Sequence, residues 1–324
     1  MARVLKTGTV YGNYRILSEL GSGGLGRVFK AVHLQNQNIV ALKVISDRFY
    51  RNKRFIGIFH REMMTHSELK HKNIVRWHEC MHKEPLCYIA TEFIDGWSGS
   101  QFIKRNRRRI PPVVALSVIY QILQGLDHLH LRDKVHSDLS AGNFLVERTG
   151  RVVLTDFGLS SEINDHKNYL VGTPGYYSPE HINNTGITRG SDTYCVGLLL
   201  YELVVGTRAV PASKDRHLVL KEMSNLSPSF FAQNIVCADH AMKSMLIQML
   251  TRALSFFQNK RYPSAERMLY DCSFVLGRFK VRRPRHTVLG FLEQAGMVDS
   301  PDSNNKQHGS AVQTITQDER FKAS

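Results

Sequence analysis

The apolar residues keep one spacing up to about residue 95 and a different one beyond residue 110. Residues 14–20, 27–32, 39–45 and 86–91 are short β-rich runs, and they predict strands. One polar stretch between them, 54–69, reads as a helix. From Pro111 onward Ala115, Ile119, Ile122, Leu126 and Leu129 recur every three or four residues, which marks one face of a helix. Pro111 and Pro112 stand where such a helix begins. Residues 191–205 and 241–254 are further helices. A β-rich part followed by a longer helical part implies two lobes that meet near Asp95 and Gly96. The expected division is a short extension at 1–13, a small lobe at 14–94 and a larger lobe at 95–282. Residues 283–324 are expected to be a basic and then polar, disordered tail, because the chain past Pro301 has too few large apolar residues to offset its ordering entropy.

Charge bears on partners rather than on fold. The 324 residues hold 43 Lys+Arg against 28 Asp+Glu, a formal net charge of +15, which favours acidic or phosphate-rich partners. Two basic runs stand out, Lys104 to Arg109 and Lys280 to Arg285. Neither has the interleaved aromatics of a nucleic-acid motif, so a solvated basic surface or docking of an acidic protein is the expectation and nucleic acid is not. The five cysteines are scattered without metal-ligand spacing and read as reduced thiols. The longest apolar stretch, 195–205, is interrupted by Glu202 and falls short of the about 20 residues a membrane span needs. A cytoplasmic protein with no membrane span is expected.

Four motifs carry chemistry. Gly21, Gly23 and Gly26 let a backbone approach phosphates closely. The spacing alone also suits a dinucleotide turn, but here an apolar strand pattern follows, so the glycines cap a hairpin. Lys43 lies in the apolar run Ala41 to Val44, on the next strand, where an ammonium would sit beneath the phosphates. Glu62 is the candidate partner for Lys43, with Glu68 as a solvated competitor. In His136-Ser137-Asp138-Leu139-Ser140-Ala141-Gly142-Asn143, Asp138 can accept a proton from a hydroxyl, and Asn143 can bind a metal ion. Asp156, in Thr155-Asp156-Phe157-Gly158, ends the apolar run 152–154, and a carboxylate there is costly without a cation or donors.

Taken in this order, the motifs resemble those of the eukaryotic-like (Hanks-type) serine/threonine protein kinases. The resemblance runs from about Tyr14 to Phe279. It includes Gly172-Thr173-Pro174-Gly175-Tyr176-Tyr177-Ser178-Pro179-Glu180, the helix beginning at Ser191, and Arg261 where the family pairs an arginine with Glu180. It implies an α+β, bilobal protein-kinase-like fold, with a small β-rich N-lobe and a larger, mainly helical C-lobe. It implies transfer of the γ-phosphoryl group of ATP to protein Ser/Thr hydroxyls, with Mg²⁺ or Mn²⁺. By resemblance Lys43 contacts the phosphates and pairs with Glu62, Asp138 is the catalytic base, and Asn143 and Asp156 hold the metal. Gly21, Gly23 and Gly26 cover the phosphates, Leu20 beside them binds the nucleotide, and Val28, Ala41 and Leu145 enclose the adenine. Thr91 precedes the hinge, whose backbone at Glu92 and Ile94 binds the adenine edge. Thr173 lines the acceptor site, and Asp192 hydrogen-bonds the catalytic loop.

Three residues depart from the family's pattern. Ser137 replaces the arginine that receives an activation-loop phosphate, so activity is expected to depend little on phosphorylation of Ser160, Ser161 or Tyr169. Ser140 replaces a lysine near the γ-phosphate, and losing such a donor costs about 3–4 kcal/mol. His66 stands where an apolar side chain packs between the lobes. Ser140 keeps a second reading open, a pseudokinase or scaffold that binds nucleotide without efficient turnover. A third reading is a small-molecule phosphotransferase of the aminoglycoside or choline type, which the Gly172 to Glu180 segment fits less well.

Overall fold

In the computed structural model, residues 5–22, 26–45, 57, 60, 63–83, 86–106, 110–158, 160–163, 172–213 and 215–299 are described. The fold is α+β and bilobal. The N-terminal lobe is a six-stranded antiparallel sheet built from β1 (Val10–Tyr11), β2 (Tyr14–Ser22), β3 (Gly26–His33), β4 (Ile39–Ile45), β5 (Trp77–Lys83) and β6 (Leu86–Glu92). The strand order is β1-β2-β3-β4-β6-β5. Residues 63–67 are helical.

Alternation on β4 explains how one strand serves both core and cleft. Val40, Leu42 and Val44 are buried with Phe29, Ala31 and Tyr88. Ala41 and Lys43, on the opposite face, are only half-buried. In the register Ala41 lies across from Thr91, and Lys43 across from Val28 and Ile89. Gly26 is opposite Ile45, and a Cβ at Gly26 would stand 2.0 Å from the Val44 carbonyl oxygen, so only glycine allows the two backbones to close here.

The C-terminal lobe begins with β7 (Gly96–Ser98) and α1 (Gly99–Arg105). Then come α2 (Pro112–His130), β8 (Lys134–Val135), β9 (Phe144–Glu147), β10 (Val152–Leu154) and β11 (Ser161–Glu162). The helices α3 (Pro179–Asn183), α4 (Arg189–Val205), α5 (Arg216–Ser224), α6 (Pro228–Asn234), α7 (His240–Ala253), α8 (Ala265–Arg278) and α9 (Pro284–Gln294) follow. β10, β9 and β7 form a small sheet, and β11 pairs with β8. α2 is the central helix: Ala115, Ile119, Ile122, Leu126 and Leu129 are all fully buried. It packs on α8, α9 and α4. Several helix starts carry side-chain caps, with Asp239 accepting from the Met242 N–H (2.8 Å) and Ser98 and Gln101 capping each other's backbone at α1.

The tail expected from residue 283 is corrected at its start. Pro284–Gln294 is helical, and Val288 and Leu292 are fully buried against the core that includes α2. These two residues, four apart, supply an apolar stripe that offsets the ordering cost. Residues 301–324, the rest of that expectation, lie outside the described residues, as do Arg107, Arg108 and Arg109 of the first basic run. Among the described residues, no helix is long and apolar enough to cross a membrane.

Candidate active site

The His136–Asn143 loop is held from below by one buried carboxylate. Asp192, in the first turn of α4, has no solvent exposure. It accepts hydrogen bonds from the backbone N–H groups of His136 (2.8 Å) and Ser137 (3.0 Å), and it contacts His130 Nε2 at 3.0 Å. Burial acts to raise its pKa, but the His130 contact and these donors outweigh it and hold the group below the ordinary aspartate value. Ser137 is buried at φ +64°, and its carbonyl lies 3.1 Å from His181 Nε2 in α3. Ser160 is also buried and its hydroxyl donates toward the His136 carbonyl (3.4 Å), so of the three loop hydroxyls named above this one is packed away. Tyr169 and the Ser161 side chain lie outside the described residues.

Above this support both oxygens of Asp138 are engaged. Thr173 Oγ1 donates to Oδ1 at 2.8 Å, and Asn143 Nδ2 donates to Oδ2 at 2.9 Å and to the Asp138 carbonyl at 2.7 Å. Burial raises the Asp138 pKa, and the Asp156 charge adds to that, while the Thr173 and Asn143 donors and His136 pull it down; the net shift is upward.

Lys43 and Asp156 come from different lobes and meet. Lys43 Nζ is 2.9 Å from Asp156 Oδ1. Asp156 has φ +61°, in the left-handed region that non-glycine residues rarely adopt. Enclosure by protein acts to raise its pKa, but attraction to Lys43 and the hydrogen bond from it prevail, and the carboxyl stays below its usual value. The side chain still exposes 47% of its surface, through the open mouth of the cleft, so a ligand can reach it. The next residue, Phe157, is buried between His136 (centroids 5.1 Å apart) and His66 (4.9 Å). His66 Nε2 lies 2.6 Å from the Val75 carbonyl, whereas its Nδ1 is buried without a hydrogen-bond partner.

Of the residues picked from sequence, Lys43, Asp138, Asn143 and Asp156 converge on one cleft. Val28, Ala41 and Leu145 are half-buried, and Leu145 packs on a cluster of Val75, Ile94 and Val153. Glu92 uses its side chain away from any nucleotide, on Arg151 (2.7 Å), and its N–H donates to the Arg76 carbonyl (2.8 Å). Leu20 and Gly21 are exposed at the end of β2. Gly23 and Glu62 lie outside the described residues. Glu68, the competitor, pairs with Lys134 (2.6 Å) instead of Lys43.

The donor set suits a hard cation. Asn143 spends its NH₂ on Asp138, which leaves its amide oxygen free to act as an oxygen ligand. No group of three or more His, Cys, Asp or Glu side chains is arranged for a metal ion among the described residues.

The protein kinase domain family matches residues 14–271. The chain belongs to that family. Among similar proteins, it is 27% identical over 283 residues to the serine/threonine-protein kinase PrkC of Bacillus subtilis, covering 86% of this chain and 43% of that protein. It is 29% identical over 274 residues to the probable serine/threonine-protein kinase PknB of Lactococcus lactis, covering 83% and 43%. It is 26% identical over 317 residues to PknA of Corynebacterium glutamicum, covering 94% and 65%. The kinase domain thus spans less than two thirds of the length of these relatives. Two buried features of this domain extend the set read from the motifs. The Glu180–Arg261 ion pair (2.9 Å) is joined by Ser191 Oγ at 2.9 Å from the same carboxylate oxygen. Gln121 in α2 accepts from the Val152 N–H (3.0 Å), a tie no motif signalled.

Proposed function

We propose that the chain is a serine/threonine protein kinase that transfers the γ-phosphoryl group of Mg·ATP to protein hydroxyls. The observation that carries this reading is the 2.9 Å contact between Lys43, on β4, and Asp156, after β10, beside the loop that holds Asp138. Lys43 binds and orients the phosphates, with Glu62 as its anchor. The glycines at 21, 23 and 26, with Leu20, cover them. Val28, Ala41 and Leu145 take the adenine, and the backbone at Glu92 and Ile94, beyond Thr91, reads its edge. Asn143 and Asp156 hold Mg²⁺, for which Mn²⁺ substitutes, and the ion when bound neutralises phosphate charge. Asp138 accepts the hydrogen bond of the acceptor hydroxyl and holds it in line, while Thr173 and Asn143 fix the carboxylate's direction. Protein substrates are the acceptors, and the setting is the cytoplasm.

One observation favours a weaker second reading. Ser140 Oγ accepts from the Gly142 N–H (3.3 Å), so this hydroxyl is turned into its own loop and does not replace a lysine at the γ-phosphate. A nucleotide-binding scaffold with little turnover follows from that. Turnover of Mg·ATP on a mixed protein substrate decides between them. The kinase reading expects steady phosphate incorporation that falls about 10²–10³-fold in Asp156→Ala. Nucleotide binding with no incorporation by the native chain would support the scaffold.

A further inference from the structure

A second cavity, of about 670 Å³, lies beside the hinge, between the connector that precedes β5 and the start of β10. Its volume is within the range of sites that hold a small organic ligand. Of the residues assigned to the nucleotide, it shares only Glu92, and that residue was assigned for its backbone. Four cations line it, Lys70, Lys72, Arg76 and Arg151, against the one carboxylate of Glu92. Arg151 and Glu92 satisfy each other through two contacts, at 2.7 and 2.9 Å, and Arg151 Nε also donates to the Lys72 carbonyl (2.7 Å). That leaves Lys70, Lys72 and Arg76 with no acidic partner among the described residues. Like charges gathered round a concavity repel one another and focus a positive potential into it. His71, also at the wall, stays neutral near pH 7, since burial and its cationic neighbours push its pKa down to about 4. The half-buried Trp77 supplies an aromatic wall.

We propose that this cavity is a second ligand site, for a small planar polyanion such as a phosphorylated heterocycle. The guanidinium of Arg76 presents a fork that matches phosphate oxygens, the two lysines add point charges, and Trp77 offers a face for a flat ring. The proposal does not depend on phosphoryl transfer. It holds or fails whether or not the chain turns over ATP.

The test is a titration of the full chain with pyranine, a planar trisulfonate, in saturating Mg·ADP, followed by tryptophan fluorescence. The chain has two tryptophans, so Trp77→Phe assigns the signal and leaves Trp97 as background. We expect saturable quenching that disappears in Trp77→Phe. The triple change Lys70→Ala, Lys72→Ala, Arg76→Ala should weaken binding by about tenfold or more, as lost charge-assisted contacts require. A control that removes three exposed cations elsewhere, Arg216→Ala, Lys221→Ala, Arg278→Ala, should leave it nearly unchanged. If the triple variant melts early, Arg76→Gln alone carries the comparison. Absence of saturable quenching in the native chain, quenching that survives Trp77→Phe, or equal weakening in the control would overturn the proposal.

Discussion

The two halves of the cleft are supported by different means. Under Asp138 lies one continuous core that runs from α1 to α9, with buried charges set into it: Asp192 under the catalytic loop, and Glu180 with Arg261 behind the Gly172–Glu180 segment. Under Lys43 the apolar core is split among the described residues. One cluster surrounds Tyr14, Phe29 and Leu42, and a separate, smaller one is built on Ile45, Cys87 and Ile89. The N-terminal lobe is tied to the other by polar and ring contacts, among them Lys43 to Asp156, Glu92 to Arg151 (2.7 Å), the Val75 N–H to the Leu154 carbonyl (2.9 Å) and His66 against Phe157, and Leu69 and Ile74 join the larger core. The lesson is one of consequence. Groups buried in the large core have no water to fall back on, so losing a partner there should unfold the domain. Contacts at the cleft and between lobes should report through activity or pH instead, with the fold kept.

Arg261 gives the largest effect by which to break this contrast. Its guanidinium is buried, pairs with Glu180, donates to the Ser255 (2.6 Å) and Phe256 (2.8 Å) carbonyls, and lies over Tyr194 at 4.7 Å. Burial acts to raise the Glu180 pKa, but Arg261 and the serine donors hold the carboxyl ionised, below its usual value. Arg261→Ala strands that charge, and the expected cost is about 3–5 kcal/mol, read as a lower urea midpoint. A loss below about 1 kcal/mol would mean that Glu180 reaches water, and the C-terminal lobe would not be the rigid half.

How much of this was legible in sequence follows the same division. The face of α2 was read from spacing because Ala115 through Leu129 answer to one physical demand, burial of a stripe. Lys43, Asp138, Asn143 and Asp156 were found because each sits in a short motif with a chemical reason of its own. What escaped was set by partners distant in the chain. β5 was missed: its seven residues, Trp-His-Glu-Cys-Met-His-Lys, are mostly polar and lie at a sheet edge, where pairing with β6 rather than burial makes the strand. Asn73 and Gln121 tie the lobes through buried amides, with Asn73 Nδ2 donating to the Val152 carbonyl at 2.7 Å, and an isolated amide has no sequence period. α9 was misjudged because the basic run and the polar end hid Val288 and Leu292, which have value only where α2 receives them.

His66 tests the junction between the halves, with a smaller effect. Burial drives its pKa down to about 4. An unfolded histidine titrates near 6.5, so between these values the unfolded chain takes up a proton that the folded chain refuses. The stability this lends is full above pH 6.5 and is lost as pH falls toward 4, by about 3 kcal/mol in all. In His66→Leu that part of the stability curve should flatten. His71, also pushed to about 4, is present in both proteins, so the difference between the two curves isolates His66. Parallel curves over that interval would place the proton elsewhere.

The smallest effect sharpens the comparison from the Asp138 side. Asp138 must be ionised to accept the substrate hydroxyl's hydrogen bond, so its pKa sets the acid limb of turnover under the proposed mechanism. Burial raises that pKa, and the hydrogen bond from Thr173 Oγ1 is the strongest influence opposing it. Thr173→Val keeps the shape of the side chain and removes the donor. The carboxyl pKa should therefore rise, and the acid limb of kcat/KM should move to higher pH by less than about one unit, roughly 1.4 kcal/mol at most. The position of the limb is diagnostic where the rate is not, because Thr173 also borders the acceptor site and its loss lowers turnover for more than one reason. A limb that stays in place would mean that Asp138 is tuned from across the cleft, by Asp156 in its pairing with Lys43. The Asp138 carboxylate would then answer electrostatically to the N-terminal lobe, and the division between the two halves would run through the residue itself.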